Sequence, residues 1–135
     1  LPYQTRENFK YSIAAADISV VSLSEKAEKN MMPCKTYSGM AVGSVIFGIS
    51  HPPNDVEYII EKYNCGFNIL PNDIKSAQNN LYTLVENPKL FNEYKRNSRK
   101  TAEKHFSSYV NTNRIIDIII NETNKEYYNN FEKTI

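Results

Sequence analysis

Apolar residues along this chain alternate between two rhythms. From Arg6 to Asp17, Phe9, Ile13 and Ala16 recur at i, i+4 and i+7, which lines one face of a helix, and the Thr5 hydroxyl is placed to cap its first turn. The next stretch, ISVVSLS, is β-branched and almost continuously apolar at Ile18, Val20, Val21 and Leu23, as in a strand covered on both faces. Glu25 to Met32 is polar and irregular. Pro33 can then open a helix, since a missing N–H costs nothing in a first turn, and that helix stops near Gly43 before a second strand, VIFGI. The helical period returns with Val56, Ile59, Ile60 and Tyr63, and Asn64 to Gly66 supply a stop before the short strand FNIL. Ile74, Ala77, Leu81, Leu84 and Val85 mark another helix. Beyond Pro88 the pattern is helical throughout, from Lys89 to about Phe106 and from Tyr109 to about Asn121, followed by a tail rich in tyrosine and asparagine.

Strands that read as buried, alternating with helices, predict an α/β fold: a Rossmann-like parallel sheet of about four strands with helices on both faces, then C-terminal helices. Residues 1–107 form the sheet-bearing domain and 108–135 a C-terminal helix and tail. Every loop leaving a parallel strand emerges at the carboxyl edge, where ligands of such sheets bind. Ser24 to Met32, Ser50 to Asn54 and Pro71 to Asp73 therefore converge. The helix after the first loop begins at Pro33, so its unpaired N–H groups and positive dipole end face the same crevice. With Cys34, Lys35 and Thr36 in its first turn, that helix can hold an anion, phosphate best of all, with N–H groups for direction and Lys35 for charge. Gly39 and Gly43 would let it lie close to the sheet.

Composition narrows the field. A chain of 135 residues with 41% hydrophobic and 23% charged residues is long enough for one core and outside the regime of disorder. The net charge of +1 exerts no general pull on nucleic acid, and no apolar run of about 18 residues is present to span a bilayer. The opening LPYQTRENFK has neither a basic leader nor an apolar core, so a cytoplasmic location is expected. Cys34 and Cys65 form no C-x-x-C pair and are read as reduced thiols. The lack of a G-x-G-x-x-G after a strand argues against a dinucleotide-dependent oxidoreductase. The basic stretch KLFNEYKRNSRKTAEK is of a kind that can touch anionic lipid, which would make the protein peripheral to the inner face of a membrane.

The ordered segments AAADISVVSLS, MPCKTYSGMAVGSVIFGIS and IIEKYNCGFNILPND resemble the C-terminal, nucleotide-sugar-binding domain of family-four retaining glycosyltransferases of the GT-B fold, of the type that builds bacterial surface polysaccharides. The resemblance spans about Leu1 to Phe106, and SSYVNTNRI looks like the family's closing helix. It implies that Pro33, Cys34 and Lys35 stand where relatives have Pro-Ser-Lys and receive the donor's diphosphate, with Thr36 beside them. It further implies that Tyr3 stacks on the base and that Ser38 and Asn30 occupy the two glutamate positions of the family's E-x7-E pair, so both acids are absent. Glu25 lies on the edge suited to hydrogen-bonding sugar hydroxyls. The donor implied is a nucleotide-sugar, UDP-linked, with no cofactor and no metal. The acceptor, a saccharide or a lipid-linked one, would be bound by a preceding domain, so the chain is expected to be a fragment, inactive alone, with its catalytic groups elsewhere. The alternative is a non-catalytic α/β binding or assembly module. An open strand edge at LPYQ or ISVVSLS, together with Ile115, Ile116, Ile118, Ile119 and Ile120, predicts a two-fold homodimer.

Overall fold

The computed structural model describes residues 5–25 and 31–132. The chain divides into two compact units, residues 1–103 and 104–135. The first contains α1 (Arg6–Ala14), β1 (Ile18–Ser22), α2 (Cys34–Ala41), β2 (Val45–Ile49), α3 (Asp55–Tyr63), β3 (Gly66–Ile69), α4 (Ile74–Glu86) and α5 (Pro88–Thr101). The protein is thus α/β, and its strands lie parallel in the order β1-β2-β3. Among the described residues the sheet has three strands where about four were expected, because everything that follows β3 in this unit is helical.

Side-chain alternation along β2 fixes the layers. A Cβ built on Gly39 of α2 would come within 3.1 Å of Ile46 Cδ1, and one on Gly48 within 3.0 Å of Ile60 Cδ1 of α3. Ile46 and Gly48 share a face, so α2 and α3 cover the same side. Two successive crossovers of one hand that step the same way across a sheet give this arrangement. The opposite side presents Ile18, Val45, Phe47 and Phe67, with the two phenyl rings 4.6 Å apart. There Leu81, Leu84 and Val85 of α4 gather with Ile18 around a cavity of about 370 Å³. Val21, Met40, Val45, Ile46, Val56 and Ile60 are buried between the layers, and the central strand β2 is the most deeply covered, as its near-continuous apolar sequence requires.

Helix α5 straps the amino edge of the sheet. Lys95 Nζ lies 2.6 Å from Asp17 Oδ1, Asn97 donates to the Asn64 carbonyl at 2.9 Å, Ser98 Oγ donates to the Cys65 carbonyl at 3.4 Å, and the Arg99 guanidinium donates to the Ala41 carbonyl. All four partners lie just ahead of a strand. Two cations of the basic stretch are therefore engaged within the chain, Arg99 also pairing with Glu103 at 2.7 Å.

Two turns explain how helices give way to strands. Asn64 ends α3 in the left-handed region, φ 46°, as its place in the sequence suggested. Gly43 also adopts a positive φ, +75°, and an added Cβ would meet its nearest neighbours at an ordinary 3.5 and 3.6 Å, so its role is the turn itself; of Gly39 and Gly43, the close approach of helix to sheet belongs to Gly39.

A π-helical turn, Ala102–Phe106, precedes α6 (Ser108–Glu132), which forms most of the second unit. The helix continues past Asn121 through the polar tail. Ile115, Ile116, Ile118, Ile119 and Ile120 are all exposed. No helix among the described residues is long and apolar enough to cross a membrane.

Candidate functional site

Three helix N-termini meet at the carboxyl edge of the sheet, and they differ in how their backbone donors are satisfied. Asn54 Oδ1 accepts from the N–H groups of Val56 and Glu57, both at 3.0 Å, and so caps α3. Asp73 Oδ1 accepts from Ser76 N–H at 3.0 Å and caps α4; these hydrogen bonds hold the Asp73 carboxyl below its ordinary range. Helix α2 starts at Cys34, one residue later than expected: Pro33, φ −65° and ψ 130°, is its extended N-cap residue and has no side-chain acceptor to offer, and the first turn holds no acid. Among the described residues, Thr36 N–H is the donor of this first turn that finds an acceptor, the Pro33 carbonyl at 3.0 Å. The tip of α2 thus presents the backbone donors of Cys34 and Lys35.

Cys34, Lys35, Ser38 and Gly39 line one wall of a cavity of about 490 Å³, completed by Ile18, Ser19 and Val20 of β1 and by residues of α1 including Phe9 and Ile13. Lys35 carries the one charge among the described lining residues. Its side chain and the free thiol of Cys34 are exposed. A site with a single ammonium beside unpaired helix donors and a largely apolar wall suits an anionic group attached to a less polar body.

Of the residues expected here, Cys34, Lys35 and Ser38 come together, with the half-buried Pro33 opening the helix. Thr36 departs from expectation. It is wholly buried, it does not line the cavity, and its Oγ1 has no hydrogen-bond partner among the described residues. Glu25 is exposed in the turn after β1. Tyr3 and Asn30 lie outside the described residues. The Tyr37 hydroxyl, on the next residue of α2, is pushed up chiefly by burial, then by Asp55 and Cys34, so it stays neutral.

The loop after β2 holds a network that the sequence did not disclose. Ser50 Oγ donates to Asn68 Oδ1 at 2.9 Å and accepts from Asn54 Nδ2 at 2.9 Å. Asn54 Nδ2 also reaches the His51 carbonyl at 3.0 Å, and Asn68 Nδ2 donates to the Ser50 carbonyl at 3.2 Å. These groups satisfy one another, and they fix the loop around a cis Pro52–Pro53 bond. The signal available in sequence was the cap pattern at Asn54, which points to helix α3 alone. Among the described residues no group of three His, Cys, Asp or Glu side chains is placed to hold a metal ion. No family model and no curated protein matches this chain.

Proposed function

We propose that the tip of α2 is the donor-diphosphate subsite of a nucleotide-sugar-dependent retaining glycosyltransferase. In this reading the chain supplies the donor half-site within a Rossmann-like C-terminal domain of GT-B architecture. The observation that carries the reading is the start of α2 without a side-chain cap, with Lys35 as the one charge among the described residues of its cavity. The resemblance of Pro33-Cys34-Lys35 to the family's Pro-Ser-Lys supports it. The N–H groups of Cys34 and Lys35 orient the diphosphate, the Lys35 ammonium offsets its charge, and Ser38 offers a hydroxyl from the next turn. Thr36 takes no direct part, because its side chain is turned into the core and its N–H is engaged by the Pro33 carbonyl. The donor is a UDP-linked sugar, and its sugar passes to a saccharide or lipid-linked acceptor in surface polysaccharide synthesis.

Calorimetric titration with UDP tests this directly. Lys35→Ala removes a charge-assisted contact worth about 1.5–3 kcal/mol, so the affinity for UDP falls by roughly ten- to more than a hundredfold. Equal affinity in the two proteins overturns the assignment. The second reading, a non-catalytic module, draws support from the self-satisfied Ser50–Asn54–Asn68 loop, and it predicts that the unsubstituted chain does not bind UDP.

A further inference from the structure

Helix α1 gathers its apolar residues on one face, yet that face is not spent on the core. Phe9, Ser12, Ile13 and Ala16, spaced i, i+3, i+4 and i+7, all line the cavity of about 490 Å³ that begins at the tip of α2. No described residue of α1 is buried: Ile13 is half-buried and Phe9 is 54% exposed. The helix therefore forms a wall that stands off from β1 and α2, and the space it encloses is of the size that small organic ligands fill.

Two hydroxyls line this space from different elements. Ser12 of α1 and Ser38 of α2 are half-buried, and neither hydroxyl has a hydrogen-bond partner among the described residues. Ser44 differs, since its Oγ donates to the Ala16 carbonyl at 2.8 Å. A hydrocarbon chain laid against Ser12 and Ser38 would strip their water and return no hydrogen bond. A saccharide would set its own hydroxyls against Phe9, Ile13 and Val20, which offer no partner. A flat ring with polar edges avoids both costs, because its face covers the Phe9 ring and its edge groups reach the serines.

We propose that α1 is the nucleoside-reading wall of the donor site: the base lies against the Phe9 ring, and the Ser12 hydroxyl pairs with a polar group of the nucleoside. The body of the donor then runs along β1 from a diphosphate at the tip of α2. This rests on the diphosphate reading of that tip, since the phosphates fix the end of the cavity from which the body extends. Phe9 and Ser12 become specificity-determining residues, separate from the turn that holds the charge.

Calorimetric titration of the full chain with UDP, inorganic pyrophosphate and geranyl diphosphate provides the test, because the three share a charged end and differ in the body. UDP should bind at least tenfold more tightly than either of the others. Phe9→Ala and Ser12→Ala should each weaken UDP by about two- to tenfold and leave pyrophosphate unchanged, while Phe9→Tyr, which keeps the ring, should hold the UDP affinity. Helical circular dichroism checks each variant, and Phe9→Leu replaces Phe9→Ala if the latter loses its signal. Pyrophosphate or geranyl diphosphate that matches UDP, or α1 variants that leave UDP unchanged or weaken pyrophosphate as much as UDP, overturn the proposal even where Lys35→Ala lowers the affinity for all three. A chain that binds none of the three, or binds them equally well with Lys35→Ala, overturns the diphosphate reading along with it.

Discussion

Gly39→Ala probes how tightly α2 is pressed on the sheet. The added methyl would stand 2.6 Å from Ser19 Oγ, 2.7 Å from Ser19 Cβ and 3.1 Å from Ile46 Cδ1. Carbon contacts prefer about 3.5–4.0 Å, so relief requires roughly an ångström of movement. The Ser19 hydroxyl and the Ile46 methyl can rotate aside; Ser19 Cβ is fixed to β1 and cannot. Overpacking of this sort costs about 1–3 kcal/mol, while alanine's better helix propensity returns about 1 kcal/mol. The net effect is a destabilisation of about 0–2 kcal/mol. The diagnostic quantity is its change of sign in a second background. With Ser19→Gly in place the fixed obstacle is gone, and Gly39→Ala should stabilise by up to about 1 kcal/mol. The coupling between the two sites is then about 1–3 kcal/mol. Urea midpoints of the four proteins, followed by circular dichroism at one protein concentration, measure it. The same effect of Gly39→Ala in both backgrounds would refute the close-contact account. Since Cys34 and Lys35 ride on α2, the crowded variant should also bind UDP less tightly than the relieved double variant.

Thr36→Val replaces an unpartnered buried hydroxyl with a methyl of the same shape. It should raise stability by about 1 kcal/mol and leave UDP affinity unchanged; a loss of affinity would put that hydroxyl back at the site. Cys65 governs the alkaline limit. Burial pushes its thiol up from 9.0 to about 11, so the folded chain favours the neutral form. That stability is fully present below about pH 9 and is lost as pH rises through 11, a fall of about 3 kcal/mol. Urea midpoints should therefore decline between these pH values, and Cys65→Ala should flatten the decline; an equally steep fall without the thiol would assign it to another group.

Burial on both faces made β2 legible, because such a strand is written as a near-continuous apolar run; β1 reads the same way in sequence, yet only Val21 of its five residues is buried and Val20 is 45% exposed, so the expectation of cover on both faces fails there. The start of β3 was less legible. Gly66 reads as a helix stop, yet it is already the first strand residue, paired with Ile46 so closely that a Cβ would strike the Ile46 carbonyl. Asn64 alone provides the stop. The tip of α2 was readable from a proline and a lysine at a strand-to-helix junction. Which side chains face outward was set by the helical period: residues 34, 35 and 38 share a face, while Thr36, about 200° around the axis from Cys34, turns into the core. The Ser50–Asn54–Asn68 network was hidden for a different reason. It joins groups 18 residues apart through the register Gly48↔Asn68, and no local pattern encodes that pairing.

The strap formed by α5 bears on when the chain can finish folding. Its ties reach back 33 residues to Asn64 and Cys65, 58 to Ala41 and 78 to Asp17. During synthesis the strands and their crossover helices leave the ribosome before the segment that binds their entrances together. Long-range closures are slow because the loop entropy has to be overcome before the contact forms. The nascent sheet consequently waits, with its amino edge unlatched, until Arg99 has emerged, and that interval is when it is most open to proteases and to pairing with the wrong chain.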